Sequence, residues 1–257
     1  MRNDKVTGRR SVFISSKATI SPNSLIAPSV QIYGPAIISP HVIIDSNVII
    51  GYPSPVEQSY LKSHLYGLDS VESAAYEELL DSFVSAETVI EKGVVIRAGT
   101  VIYSGSYINE KADLAHNIVI RENCKVGRDT NVITGAQVMA SVQIGHGCRI
   151  AGTLCNRTRV GNCTSMLGHA MHRYKVGVPG HTEPSPKIGN GVVVGREAAI
   201  IGDIELGNFS IVGAGAVVTK SVPPYTIWMG NPAVQVGIRN LEECQELKRK
   251  VKSYEGR

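Results

Sequence analysis

"ISSKATISPNSLIAPSVQIYGPAIISPHVIIDSNVII", residues 14–50, places Ile14, Ile20, Ile26, Ile32, Ile38, Ile44 and Ile50 six apart without an error. The same beat returns at Val84 and runs through Ile90, Ile96, Ile102, Ile108, Leu114, Ile120, Val126, Val132, Val138, Ile144 and Ile150. It slips by two residues to Leu154, Val160 and Met166, then resumes at Ile188, Val194, Ile200, Leu206, Val212 and Val218. An α-helix turns through about 240° in six residues, so such a stripe would wind round its axis and bury nothing. An ordinary strand would not keep one period through so many turns. A six-residue unit fits a short strand plus a corner, three units per coil, which is an all-β solenoid of triangular cross-section.

Side chains alternate along a strand, so the residue two before each aliphatic should also point inward. Those positions include Ala18, Ser24, Ala36, Ala112, Cys124, Ala136, Cys148, Ala198, Ser210 and Ala216, small enough for a narrow prism. Glycine often follows the aliphatic, as at Gly51, Gly127, Gly145, Gly161, Gly189, Gly195, Gly207 and Gly213, where strained corner geometry is expected. Cys124 and Cys148 then read as small buried groups. The five cysteines show no C-x-x-C spacing and read as reduced thiols of a cytoplasmic protein.

A net charge of +4 over 257 residues is too weak a bias to call for nucleic acid. No apolar run has the length of a membrane span, and "MRNDKVTGRR" leads into no signal-peptide core, so no membrane partner is expected. "RNLEECQELKRKVKSYEGR" carries an apolar stripe at Leu241, Cys244, Leu247 and Val251 and predicts a C-terminal amphipathic helix started by Asn240. The domain reading is a β-helix over 1–222 with a tail and helix over 223–257.

Two interruptions break the rhythm. Residues 51–83 form an insertion in which "LDSVESAAYEELLDSF" predicts a short helix on an outer face, covering an edge, contacting a neighbouring subunit or shaping an acceptor pocket. The second, about 167–187, reads "LGHAMHRYKVGVPGHTEPSPK" and brings in His169, His172 and His181. Loops on rigid scaffolds commonly carry function, and histidine titrates where acid–base catalysis needs it.

"IGNGVVVG" and "ELGNFSIVGAGAVVTKSVPPYTIWMGNPA" resemble the hexapeptide-repeat acyltransferases, whose fold is the left-handed parallel β-helix. "GHAMH" resembles the Gly-His-x-x-His stretch of the galactoside, maltose and serine-type O-acetyltransferases in that family. The resemblance implies His169 as general base and His172 as a second histidine near the acceptor. It implies coenzyme A contacts at Gly195, Arg196, Ala214, Thr219 and Lys220, and a closing turn at Gly230, Asn231 and Pro232. Relatives often follow that turn with a phosphate-binding arginine; this chain has Val234 and Gln235, and Arg239 is the candidate substitute. The implied activity is transfer of an acetyl group from acetyl-CoA to a hydroxyl or amine of a sugar, nucleotide-sugar or small amino compound. The implied assembly is a homotrimer with the cofactor between subunits, and no metal is required.

Two alternatives stand beside this reading. The γ-class carbonic anhydrases share the fold and bind zinc through histidines, but His116 and His146 lie five hexads apart and so on different faces of one prism. The same repeat could also build a non-catalytic scaffold or binding protein.

Overall fold

A computed structural model describes residues 12–65, 76–173 and 184–255. Its strands, most of two residues, form three parallel sheets. Sheet I has ten strands from Phe13–Ile14 to Val217–Val218, and sheet II nine from Thr19–Ile20 to Glu205–Leu206. Sheet III has eleven, from Leu25–Ile26 to the closing pair Thr226–Met229 and Val234–Ile238. The chain visits I, II and III in turn, which is the left-handed parallel β-helix that the resemblance implied.

The aliphatic beat is the core. In sheet I, Ile14, Ile32, Ile50, Ile102, Ile120, Val138 and Leu154 stack in register, coil on coil. All of these from Ile32 onward are fully buried, whereas Ile14, in the first described coil, is 43% exposed. The small residues also point inward: Ala112, Cys124, Ala136, Cys148, Ala198, Ser210 and Ala216 are buried. The Cys124 thiol donates to the carbonyl of Met139 (3.0 Å) and the Cys148 thiol to that of Gly161 (3.1 Å). Burial pushes both thiols up to about 12, so neither is a ready nucleophile.

Four features differ from the sequence reading. The insertion leaves the prism after Tyr52 and returns at Thr88, so Val84 belongs to it. Val84 packs with Tyr33, Leu61 and Leu80 outside the solenoid core. The insertion holds α1 (Pro55–Leu65), which the sequence reading lacked, and α2 (Tyr76–Ser82); Asp69, Val71, Glu72 and Ala75 lie outside the described residues. Ser54 and Glu57 form a reciprocal cap at the start of α1, and Glu57 also accepts from the Ser85 N–H and the Ser104 hydroxyl.

Second, the rhythm shortens twice, from Ile150 to Leu154 and from Met166 to Ala170. The strand His169–Met171 stays in sheet I, with Ala170 buried against Leu154 and Ile200. His169 therefore sits on the prism wall, and the excursion begins only after it. Third, the solenoid passes residue 222, because Thr226–Met229 pairs parallel with Ile211–Val212. Fourth, among the glycines after the aliphatic, only Gly51 has a positive φ. The rest are needed for close approach: a Cβ on Gly127 would lie 2.3 Å from the Gly145 carbonyl oxygen.

At the corner between sheets II and III, Gly127, Gly145, Gly161, Gly189 and Gly207 stack beside a polar ladder. The Arg128 N–H donates to Nδ1 of His146 (2.8 Å), and the His146 N–H to Oδ1 of Asn162 (2.8 Å). The Asn162 N–H donates to Asn190 (2.7 Å) and the Asn190 N–H to Asn208 (2.8 Å). The C-terminal helix α3 (Cys244–Glu255) lies along this corner. Cys244 and Val251 are buried against Phe209, and Tyr254 stacks on His146 at 5.5 Å. Leu241 of the expected stripe precedes the helix and is exposed.

Gly127→Ala is expected to cost about 1–3 kcal/mol, as overpacking does when backbone cannot yield. Gly135→Ala, with φ +75° but nothing within 4 Å, is expected to cost about 1 kcal/mol; urea unfolding of both separates approach from strain. Burial, then the neighbouring Arg128, holds His146 below the ordinary histidine range. The unfolded chain thus protonates this ring at a higher pH than the folded chain. Its stabilisation is complete above about pH 6.5 and is lost as pH falls toward the folded value. His146→Asn keeps an acceptor in the slot and is expected to flatten the loss of stability between about pH 7 and pH 5.

Candidate active site

His169 opens its strand at the corner between sheets III and I, with its side chain 32% exposed. The local register explains its orientation. In the coil before, the Gln137 N–H donates to the Gly152 carbonyl (2.9 Å) as the ladder requires. The two short corners leave only Leu154 and Ala170 paired between the next strands. The Thr153 N–H, set aside by that shift, donates instead to Nδ1 of His169 (3.2 Å). An accepting Nδ1 places the proton of the neutral imidazole on Nε2. Nε2 lies 3.5 Å from Oε2 of Glu197, whose side chain is 81% exposed. At that separation the two groups face one gap without forming a close hydrogen bond.

The same corner collects most of the expected cofactor residues. A Cβ on Gly168 would meet the Ala198 and Gly195 carbonyls, and one on Gly195 would meet the Ala214 backbone, so these coils follow each other directly. The Gly215 N–H donates to the Arg196 carbonyl (2.9 Å). The Val217 N–H donates to the Gly230 carbonyl (3.0 Å), and the Ala233 N–H to the Val217 carbonyl (2.9 Å). Gly230, Asn231 and Pro232 thereby add a further layer below Ala214, with a cis bond between Asn231 and Pro232. Arg196 and Ala214 are exposed, and a Cβ on Gly215 would meet open space.

Thr219, Lys220 and His172 sit across the width of sheet I, at the corner with sheet II. Arg173 reaches over Gly202 and donates from Nη2 to the Thr219 carbonyl (3.3 Å). Nδ1 of His172 is buried without a partner among the described residues, and His181 lies outside them. Arg239 does not join the Gly230 turn. Its Nη1 donates to the Gly191 (3.0 Å) and Phe209 (3.3 Å) carbonyls at the corner of sheets II and III, which removes it as the substitute phosphate ligand.

Two cavities lie away from this corner. A groove of about 610 Å³ runs over sheet II and is lined by Tyr107, Lys125, Gln143, Arg159 and His146. It adjoins a second, of about 570 Å³, lined by Arg157, Arg159, Lys187 and Asp203. Among the described residues no group of three or more His, Cys, Asp or Glu side chains is placed to share a metal ion, and no helix is long and apolar enough to cross a membrane.

Sequence reading missed Thr153 and Glu197. Glu197 follows the in-register Val194 by three, a corner slot that recurs in every coil and carries no chemical signature of its own. Only coil stacking brings it to His169.

No family model matches this chain. It is 36% identical over 105 residues to serine acetyltransferase 3, mitochondrial, of Arabidopsis thaliana, covering 40% of this chain and 25% of that protein. It is 31% identical over 127 residues to the serine acetyltransferase of Mycobacterium tuberculosis, covering 49% and 45%. The chain thus spans a quarter of the first and less than half of the second. Among solved structures it resembles the UDP-N-acetylglucosamine O-acyltransferase of Moraxella catarrhalis with a TM-score of 0.54 and 15% identity, over 92% of this chain and 76% of that one. That likeness bears on the fold, while the sequence likeness bears on descent. The chain is a hexapeptide-repeat left-handed β-helix protein, related over part of its length to the serine acetyltransferases.

Proposed function

We propose that this protein transfers an acetyl group from acetyl-CoA to a hydroxyl or amine of a small acceptor, a sugar, nucleotide-sugar or amino compound. The observation that carries the reading is the His169–Glu197 pair, set at the head of a corner built from Gly195, Ala214 and the Gly230 turn in successive coils. An imidazole and a carboxylate sharing a gap can manage the acceptor proton and the developing oxyanion, the two demands of acyl transfer. The Gly195–Ala214 layers offer a low wall for an extended thioester arm, and Arg196, Thr219 and Lys220 offer polar and cationic contacts at its edges. His172, whose Nδ1 is buried without a partner among the described residues, is the second histidine proposed to serve the acceptor.

The assembly proposed is a homotrimer with this corner in the cleft between copies. Val234, Val236 and Ile238 lie exposed along the last strand, Ile238 at 72%, and give a second copy apolar surface to cover.

Turnover is read as free coenzyme A thiol released from acetyl-CoA in the presence of hydroxyl and amine acceptors. His169→Ala is expected to lower it by about 10²- to 10⁴-fold, with about 1 kcal/mol of stability lost as the Thr153 N–H loses its acceptor. Full activity in that variant would remove this corner from the reaction. Light scattering on a size-exclusion column is expected to give three times the chain mass; a stable monomer would contradict a site shared between copies.

A further inference from the structure

We propose that the groove over sheet II is a second binding site, which takes the diphosphate and nucleoside of a nucleoside-diphosphate compound. The inference goes beyond the acyl-transfer reading and does not depend on it, since binding here needs no turnover.

Unpaired cations mark the site. The outward column of sheet II runs Tyr107, Lys125, Gln143, Arg159, Lys187 and Glu205, each the register partner of the next. Arg159 and Lys187 therefore stand directly opposite in adjacent strands, about 4.8 Å apart along the stack. Like charges so placed destabilise a sheet unless something neutralises them. Arg157, two residues before Arg159, adds a third cation, and Lys125 stands two coils earlier in the column. Elsewhere on the prism, Arg97, Arg121 and Arg128 have carboxylates at Asp113, Glu122 and Asp129. Lys125, Arg157, Arg159 and Lys187 form no ion pair among the described residues, although Asp203 and Glu205 lie at the Lys187 end.

The space holds more than a phosphate. The cavities of about 610 and 570 Å³ meet at Arg159, which lines both. Each has the size of a small-molecule site, about 300–1,000 Å³. The residue after each aliphatic is here Gly127, Gly145, Gly161 or Gly189, so the strip beside the outward column carries no side chains. A ligand can lie along that strip against the backbone.

The chemistry of the two ends differs. At the junction, guanidinium groups donate in a planar fork that matches phosphate oxygens, and the ammonium of Lys187 adds a point charge. A diphosphate spanning Arg159 and Lys187, with Arg157 beside it, neutralises the charges that the protein leaves unpaired. The nucleoside then runs along the glycine strip, where Gln143 offers both a donor and an acceptor and Tyr107 an aromatic ring.

Titration calorimetry of the whole chain with uridine 5′-diphosphate and guanosine 5′-diphosphate tests the site. At least one is expected to bind, at least about tenfold more tightly than inorganic pyrophosphate. Arg159→Ala and Lys187→Ala, both at exposed positions, are each expected to weaken it at least about tenfold while the ligand-free variants still melt as folded protein. Arg149→Ala, which removes an exposed cation from sheet III, is expected to leave the affinity unchanged. Coenzyme A carries a diphosphate of its own, and an excess of it is expected not to displace the nucleotide. No binding of either nucleotide, equal binding of pyrophosphate, displacement by coenzyme A, or affinity unmoved by both groove variants would each overturn the proposal.

Discussion

A row of aliphatic side chains along each sheet, stacked coil on coil, lines the interior of this prism, and the rest of the structure depends on that packing. The residue two before each of them also points inward and is mostly Ala, Ser, Thr, Cys or Val, with Ile118 and Ile204 as larger members of the same buried core. Several of its hydroxyls donate to a carbonyl of the next coil, as Thr130 does to Gly145 (2.9 Å) and Thr164 to Gly189 (2.8 Å), while those of Thr88 and Ser210 have no partner among the described residues. From Gly127 onward the coils leave no room for a Cβ at the residue after the aliphatic in sheet II, which explains the run Gly127, Gly145, Gly161, Gly189 and Gly207 where the earlier coils carry Ser39, Glu91 and Asn109. The solenoid is thus a packing solution repeated, and its stability is spread along its length.

Such a wall is chemically inert, and its reactive groups sit where the repeat is disturbed. The two shortened corners at Ile150–Leu154 and Met166–Ala170 move one strand pair out of full register and free the Thr153 amide. His169 is held by that amide. The excursion that follows roots His172 and Arg173 at the opposite edge of sheet I, while Glu197 arrives from the coil below. A local fault in the rhythm thereby gathers an imidazole and a carboxylate on a rigid strand, which suits a site that must hold its geometry.

The fold was legible because isoleucine every sixth residue admits few other structures. Ala170 escaped notice because a small residue in an aliphatic slot, four residues after Met166, looks like the end of the pattern. Val84 misled for the opposite reason: it keeps the six-residue beat by coincidence and is buried under α1 and α2. The glycines were seen but misread, since a sequence does not say whether Gly serves backbone freedom or close approach. Of the candidate site, the resemblance marked His169, Gly195, Ala214 and the Gly230 turn, which the structure brings to one corner. Thr153 and Glu197 are 16 residues before and 28 after His169 in sequence, and only coil stacking makes them its neighbours.

Two of the prism's imidazoles compete for the chemistry: His169 at the corner of sheets III and I, and His146 in the sheet II groove with Lys125 and Arg159. The account gives the chemistry to the first. The most direct test is a crystal structure with a thioether analogue of acetyl-CoA, in which the acyl end cannot be transferred. The expected result is the acyl carbonyl at the corner of sheets III and I, within hydrogen-bond reach of His169 Nε2 and beside Glu197. An acyl end lying in the sheet II groove against His146 and Arg159 would contradict it.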